Sequence, residues 1–299
     1  MSRVEIASAP ARPLAGMALM ALGVCTLPVM DGLAKYLSAE YHVVQVTWAR
    51  YLFHLLLLMV LLVGRLSPAE LIPRQLGTQI LRSACLLATT LCYFGAISFM
   101  PLADALALAF TAPLVSTALA PMLLGESVGR RGWLAVMIGF AGTLVVVRPG
   151  LGAFHWASLL GLGAGLFYGL YQLATRYLAG SARPLVTLLY TALFGLVVLS
   201  AVLPLFWRLP DWRGWSLMLA MGAAGAVGHY LIIRAFEHAS ASTLSPLNYL
   251  EIVVAVSVGW FVFDDFPDQW TWLGIVLIAI SGLLVVFWRR RDDDVTPAL

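Results

Sequence analysis

Long runs of apolar residues, separated by short polar segments, follow one another from position 14 to position 288 of this chain. A helix that crosses the hydrocarbon core of a bilayer needs about 20 consecutive, mostly apolar residues. Ten runs meet this requirement and are predicted to be membrane-spanning helices, at 14–37, 43–64, 76–99, 102–124, 132–148, 157–179, 184–206, 214–236, 240–263 and 270–288. The pattern therefore predicts an all-α integral membrane protein with ten transmembrane helices and short connections.

The two halves of the chain share this pattern and several local strings. Residues 33–37 are LAKYL and residues 174–178 are ATRYL, while the dipeptide VT occurs at 46–47 and again at 186–187. A repeated offset of about 140 residues indicates an internal duplication. Because each repeat crosses the membrane five times, the second copy enters from the opposite side. Two inverted five-helix repeats are predicted at 14–148 and 157–288, between an N-terminal segment 1–13 and a tail 289–299.

The distribution of arginine and lysine predicts the orientation of the bundle, because cytoplasmic ends of membrane proteins carry an excess of these residues. With the N-terminus inside, most arginines fall at cytoplasmic ends, including the run at 289–291, whereas Lys35 and Arg148 are among the few that fall outside. Both termini are therefore predicted to be cytoplasmic. The three aspartates at 292–294 follow the arginine run, and this charged tail is predicted to end the last helix.

Composition excludes a water-soluble globule, since 61% of the residues are hydrophobic, 11% are charged and the mean hydropathy is +0.91. Cys25, Cys85 and Cys92 lie inside predicted spans without the spacing of a disulfide or zinc framework. The turn at 150–152 lacks the lysine of a phosphate loop. The sequence therefore predicts no metal and no cofactor. It also predicts no nucleic-acid partner and no enzyme, because neither a basic stripe nor a clustered catalytic set is present.

Several strings resemble, in order, those of the EamA-type members of the drug/metabolite transporter superfamily. They are MDGLAKYL at 30–37, WARY at 48–51, PLADA at 101–105, FTAPL at 110–114, LGE at 124–126 and SPLNYLE at 245–251. The resemblance covers nearly the whole chain. It implies a gradient-linked or facilitative exporter of small metabolites, with bacterial amino-acid exporters among the relatives. The pair at 264–265, Asp-Asp where Gly-Glu is more common in the family, is expected to lie at the membrane surface without consequence.

Ionisable residues inside the spans are the first candidates for substrate binding or coupling, because a charge in hydrocarbon costs several kcal/mol unless it faces a cavity or a partner. Asp31 and Arg50 lie at similar depths and are predicted to form an ion pair, either as a structural clamp or as a ligand for a zwitterion. Glu251, near mid-membrane, is a candidate for binding a substrate ammonium or a coupling proton, or else a buried structural carboxylate. Lys35 is interpreted as an interfacial residue only.

Two further sets of residues are candidates for the transport path. His54 and His229 lie inside spans as proton relays or as packing residues. Aromatic and amide side chains are candidates for lining a pocket for a partly apolar metabolite, although each could instead pack in the core or face lipid. They are Trp48, Tyr93, Phe110, Tyr168, Tyr171, Gln172, Tyr230, Asn248 and Tyr249.

Small residues and prolines predict where helices pack closely or bend. Gly161, Gly165 and Gly169 lie one turn apart on one face of the sixth span, a spacing that lets helices approach closely. Proline removes a backbone hydrogen bond from a helix. We therefore expect interruptions of the first, fourth and ninth spans at Pro28, Pro113 and Pro246.

The combined pattern predicts a secondary transporter of the bacterial inner membrane that exports small metabolites by alternating access between its two halves. Amino acids, aromatic or otherwise neutral, are the first choice of substrate. Alternatives are a carrier for a nucleobase, a polyamine or a drug-like cation, and a scaffold subunit that does not transport. The expected partners are a small-molecule substrate and the lipid bilayer. The fifth and tenth spans, nearly free of charge, are predicted to face lipid or a second copy in a homodimer.

Overall fold

The computed structural model describes residues 13–62, 73, 75–125, 128–148, 155–178, 184–239 and 244–295. In these ranges the chain forms α-helices and two short 3-10 segments, Leu203–Leu205 and Ser245–Tyr249. The α-helices are α1 (Pro13–Ser38), α2 (Val43–Leu62), α3 (Leu76–Ile97), α4 (Leu102–Ala109), α5 (Ala112–Leu124), α6 (Arg130–Val147), α7 (Ala157–Tyr177), α8 (Pro184–Val202), α9 (Trp212–Phe236), α10 (Leu250–Phe263) and α11 (Gln269–Val295).

The ten-span prediction is confirmed. Eight stretches are long and apolar enough to cross a bilayer, and α4 and α5 together form one of them, Leu102–Leu124. The remaining two are the shorter apolar helices Leu247–Phe263 and Gln269–Leu284. The spans therefore divide into five in the first half, α1 to α6, and five in the second half, α7 to α11.

Helices of one half pack mainly against helices of the other. α1 lies along α9 and α3 lies along α7, while α6 contacts α11 and α2 contacts α8. Exchanging the halves converts the α1–α9 contact into the α7–α3 contact and returns the α2–α8 and α6–α11 contacts to themselves. This is the pairing expected of two inverted repeats related by an axis in the membrane plane.

Two of the three expected helix interruptions occur. α4 ends at Ala109 and α5 begins at Ala112, with Pro113 in its first turn, where a missing backbone N–H costs nothing. Likewise, the segment that contains Pro246 is a 3-10 turn before α10. Both breaks lie at the contact between the halves, because α4 packs against α7 and α10.

The expected interruption at Pro28 was wrong, because α1 is continuous from Pro13 to Ser38. Its packing against α9 explains why one missing hydrogen bond does not break it. Gly23 lies against the backbone of Gly228, and Leu27 contacts the same glycine, so α1 is held on α9 just before the proline.

The prediction that the charged tail ends the last helix was wrong. α11 continues through the arginine run to Val295.

Candidate functional site

Polar side chains from both halves gather in the middle of the bundle. We call this group the central cluster and define it as Asp31, Arg50, His54, Thr90, Tyr93, His229 and Glu251. Asp31 is 4% exposed, and Arg50 and His54 are each 7% exposed. Such burial of ionisable groups in a membrane protein is costly without partners, so their contacts are informative.

Arg50, on α2, is held by neutral partners. Its Nη1 donates to Thr90 Oγ1 at 2.9 Å, and its Nε lies 3.4 Å from Met30 Sδ. Its Nη2 lies 3.4 Å from His229 Nε2. Because a guanidinium only donates, Nε2 must be the acceptor, and the ring proton of a neutral His229 then resides on Nδ1.

The direct ion pair predicted between Asp31 and Arg50 is not formed, and that prediction was wrong. Asp31 Oδ2 instead accepts a hydrogen bond from the Tyr93 hydroxyl at 3.3 Å. Tyr93 stands on α3, the helix that also supplies the Thr90 hydroxyl to Arg50. Neighbouring positions of α3 therefore separate the carboxylate from the guanidinium by giving each its own partner.

Glu251 joins this group from the second half of the chain. It stands in the first turn of α10 and is close enough to Asp31 and Tyr93 to interact with them electrostatically. The central cluster thus contains two carboxylates, on α1 and α10, and a guanidinium bonded to neither of them. His54 completes it, with its ring centroid 5.7 Å from that of His229.

Aromatic rings predicted to line a pocket form two stacked pairs near this cluster. Tyr168 and Tyr171 of α7 stack with centroids 5.5 Å apart, and Gln172 is hydrogen-bonded to Tyr168. Phe110, at the α4–α5 break, stacks on Tyr249 at 5.9 Å. Asn248 precedes Tyr249 in the 3-10 turn and is partly buried. These pairs place flat apolar surfaces on segments that pack against helices of the central cluster.

Two predicted pocket residues have their contacts elsewhere. The Trp48 indole donates to Ser200 Oγ on α8 at 2.9 Å and packs edge-on against Trp207. The Tyr230 hydroxyl accepts from Arg234 Nη1, one turn further along α9, at 3.5 Å. Neither contact involves a member of the central cluster.

The three glycines of α7 face the break between α4 and α5. Gly161 lies against Leu108, Gly165 against the Leu108 carbonyl, and Gly169 against the side chain of Val115. The absence of side chains at these positions lets α7 approach the break closely. The same helix can therefore present Tyr168, Tyr171 and Gln172 toward the middle of the bundle.

Arg82 is a buried cation, although its position in the sequence places it among the arginines at the predicted cytoplasmic ends. It is 4% exposed and donates to Thr175 Oγ1 at 2.6 Å and to Thr191 Oγ1 at 2.8 Å. It also donates to the hydroxyl of Tyr171, and its guanidinium lies 4.3 Å from the centroid of that ring. Its signal in the sequence was a lone arginine six residues inside an apolar run.

Lys35 is not only an interfacial residue, so that interpretation was wrong. Its Nζ lies 2.6 Å from Asp265 Oδ2 and donates to the Met100 carbonyl at 3.0 Å. A second pair, Arg148 Nη1 with Asp268 Oδ2 at 2.6 Å, joins the same loop. Following the predicted orientation, we call this end of the bundle the external end. The Asp265 position therefore links the two halves, contrary to the expectation that it would be without consequence.

Comparisons with known proteins show the family of this chain. The EamA-like transporter family matches residues 14–148 and, a second time, residues 155–287. This chain belongs to the EamA-like transporter family. The two matches cover most of the chain, and the protein is a multi-pass membrane transporter of the drug/metabolite transporter superfamily.

Several transporters resemble this EamA-like chain along almost all of its length. A riboflavin transporter of Vibrio cholerae is 26% identical over 290 residues, which cover 94% of this chain and 96% of that protein. An S-adenosylmethionine uptake transporter of Rickettsia prowazekii is 24% identical, with coverage of 93% and 95%. A pseudopaline exporter of Pseudomonas aeruginosa is 28% identical, with coverage of 89% and 94%.

A solved crystal structure shares the fold of this EamA-like protein. It superposes with a TM-score of 0.65 over 92% of this chain and 98% of the other, at 17% sequence identity. This similarity concerns the arrangement of the helices alone. The names of the relatives agree on small-molecule transport but differ in solute.

Proposed function

We propose that this protein is a secondary transporter of the bacterial inner membrane that exports zwitterionic metabolites carrying an amino-acid group, amino acids foremost. One observation carries the proposal: the central cluster holds a buried guanidinium, Arg50, and two buried or half-buried carboxylates, Asp31 and Glu251, that are not paired with it. A substrate with a carboxylate and an ammonium would supply the missing partner to each.

The central cluster offers separate binding groups for the two charged ends of such a substrate. A guanidinium can hold a carboxylate through two parallel N–H bonds. The carboxylates on α1 and α10 suit an ammonium. The stacked pairs Tyr168–Tyr171 and Phe110–Tyr249 offer flat apolar surfaces for a side chain between them. Neutral amino acids with an aromatic side chain fit this combination.

The relatives support transport of a small molecule and do not identify amino acids as the solute. One of them takes up S-adenosylmethionine, whose name itself joins an adenosyl group to methionine, and another carries riboflavin. Relatives named for uptake and for export both occur. The names of the relatives leave the direction open, and we propose export from the family resemblance stated above; the transport assay measures it.

The mechanism we propose is alternating access around the central cluster. The cluster takes side chains from both halves, so a rocking motion of one half against the other would expose it to each side in turn. The breaks beside Pro113 and before α10 lie in the helices that border the cluster, where backbone adjustment is easiest. That α6 and α11 meet a second copy in a homodimer remains a prediction.

The test is transport by the purified protein in proteoliposomes, with and without a pH gradient. The panel contains a neutral aliphatic and an aromatic amino acid, S-adenosylmethionine, riboflavin and putrescine. We expect saturable transport of the amino acids. Charge-assisted hydrogen bonds contribute about 1.5–3 kcal/mol each, so Glu251→Gln and Arg50→Ala should lower transport efficiency by about 10- to 100-fold.

The matched control is Glu237→Gln, which makes the same change at a carboxylate that is 56% exposed at the end of α9. It should transport like the unmodified protein. Transport of riboflavin or putrescine alone would overturn the zwitterion proposal and favour an aromatic or a cationic solute. If the Glu251→Gln variant transports as efficiently as the unmodified protein, the central cluster is not the binding site.

A further inference from the structure

A small cavity lies beside Arg50, between α2, α3, α7, α8 and α9. Its lining residues are Arg50, Tyr51, His54, Leu86, Tyr171, Leu188, Thr191, Ala192 and His229. The polar groups in this lining are one guanidinium, two imidazoles, two phenols and one threonine hydroxyl. No carboxylate lines it, and Asp31 and Glu251 lie outside it. We call this space the Tyr171 cavity.

A second buried cation stands directly behind the wall of the Tyr171 cavity. Arg82 donates to the hydroxyls of Tyr171 and Thr191, which both line the cavity. Among the described residues, neither Arg82 nor Arg50 has a carboxylate oxygen within 4.0 Å. Two buried guanidinium groups therefore flank one cavity with only neutral partners, an arrangement that is costly in a membrane until an anion offsets it.

The hydroxyl groups of Tyr171 and Thr191, which line this cavity, differ in whether their hydrogen is already donated. The Tyr171 oxygen accepts from Arg82, and its own proton has no acceptor among the described residues. The Thr191 proton, in contrast, is used by the Thr187 carbonyl at 2.9 Å. Donation from Arg82 polarises the Tyr171 hydroxyl and makes it a stronger donor.

Arg50, which lines this cavity, has an N–H group that no described residue is shown to accept. A guanidinium has five N–H groups; Thr90, Met30 and His229 accept from three of them, and Tyr51 interacts with Arg50 as well. Arg50 and Tyr171 both line the same space. A carboxylate is the ligand that satisfies several converging donors and a positive charge at once.

We propose that the Tyr171 cavity is an anion-binding subsite that takes a carboxylate, with Arg50 and Tyr171 as its direct donors. Arg82 is a positioning residue, which fixes the Tyr171 ring and strengthens its hydroxyl from behind. The identification of that carboxylate as the substrate's own rests on the proposed function. A free carboxylate anion, bound as a separate ligand, is the other source with the same chemistry.

The first experiment measures binding without transport. The melting temperature of the purified protein in detergent is followed against sodium acetate and against acetamide, its uncharged isostere, with ionic strength held by a bulky sulfonate buffer. Acetate should raise the melting temperature and acetamide should not. In Tyr171→Phe the acetate dissociation constant should rise about tenfold, since one hydrogen bond to a charged group is lost.

Two variants separate this effect from general damage to the fold. Tyr177→Phe makes the same change on the same helix at a ring that is 60% exposed, and it should bind acetate like the unmodified protein. Arg82→Lys keeps the positive charge but loses the planar set of N–H donors that contacts both Tyr171 and Thr191. It should bind acetate with an affinity between those of the unmodified protein and Tyr171→Phe. Equal stabilisation by acetamide, or an acetate dissociation constant unchanged in Tyr171→Phe, would overturn the subsite.

A second arm identifies the source of the carboxylate and separates this inference from the proposed function. If the subsite holds the substrate's carboxylate, acetate will raise the KM for an amino acid and leave the maximal rate unchanged. If it holds a free anion, acetate will increase the transport rate. Stabilisation by acetate that depends on Tyr171, in a protein that transports no amino acid, would sink the proposed function and leave the anion subsite standing.

Discussion

Charged side chains at the external end of this bundle, Lys35, Arg148, Asp265 and Asp268, are each in an ion pair. At the external end, water is near, and a carboxylate can serve as both an ion-pair partner and a helix cap. Asp268 does both: Oδ2 contacts Arg148 Nη1 at 2.6 Å, and Oδ1 accepts from the Thr271 N–H of α11 at 2.8 Å. Partial burial raises the pKa of Asp268, but the hydrogen bonds from Thr271 and Arg148 outweigh it and leave the pKa below its usual range.

This depressed pKa predicts the pH dependence of one contribution to stability. The contribution of the Asp268 charge is complete above the unfolded aspartate pKa of about 3.9 and is lost as the pH falls through the lower folded value. The melting temperature of Asp268→Asn should therefore lie below that of the unmodified protein at pH 7 and at pH 5. The gap should close below about pH 4. A gap that widens on acidification would contradict the assignment.

Asp268→Ala is the companion variant, because alanine removes the cap as well as the charge. Loss of a helix cap costs about 1 kcal/mol at any pH. Part of the destabilisation in Asp268→Ala should therefore persist at acid pH, whereas asparagine can still cap α11.

The burial of single charged residues could be predicted from the sequence, whereas their contacts with distant residues could not. A charge inside an apolar run marked Asp31, Arg50 and Glu251 as candidates, and the structure brings them into one cluster. Lys35 and its partner are 230 positions apart in the chain. A single sequence contains no signal for that contact, nor for the separate partners that keep Asp31 from Arg50.

At the scale of the helices, the contact between α7 and the α4–α5 break decides how closely the halves approach in the middle of the bundle. The glycine spacing on α7 predicted a close-packed face, because it depends only on helical periodicity. Its partner could not be predicted, since the break that receives it is created by Pro113 in another half of the chain. At Pro28 the same local argument failed, because packing against α9 holds α1 together.

The glycine face of α7 makes a testable prediction about stability. A Cβ added at Gly169 would lie 2.8 Å from Val115 Cβ and 2.9 Å from the Ala112 carbonyl oxygen. Such overlap forces the helices apart, and overpacking of this kind costs about 1–3 kcal/mol. Gly169→Ala should therefore lower the melting temperature in detergent, even though alanine is the better helix former.

Gly77→Ala is the matched control for this prediction. Gly77 lies in α3, and an added Cβ there would meet no atom within 4 Å. The substitution should leave the melting temperature unchanged or raise it slightly, because only the helix propensity changes. A Gly169→Ala protein as stable as Gly77→Ala would show that the contact between α7 and α5 accommodates an added methyl group.

For the whole molecule, the contacts between the halves set which end of the bundle is closed. The number of spans and their division into two inverted halves followed from apolar length and repeated strings, properties that a sequence displays directly. Which end is joined depends on side-chain pairs across the halves. At the external end, Lys35 on α1 and Asp265 after α10 form such a pair, with side chains 16% and 30% exposed. Under the proposed alternating access, this pair must separate each time the external end opens.

The final prediction concerns this pair. Lys35→Ala should shift the protein toward a state open at the external end, about fivefold if the pair contributes ~1 kcal/mol. The shift is read from the labelling rate of a cysteine placed at Ala103, a buried position near the start of α4, by a membrane-impermeant maleimide. The three natural cysteines are replaced beforehand.

The exchange of both charges, Lys35→Asp with Asp265→Lys, should restore slow labelling because the pair can form again. Arg234→Ala removes an exposed pair elsewhere and should not change the rate. Labelling that is equally slow in all of these proteins would show that packing alone, and not the ion pair, keeps the external end closed.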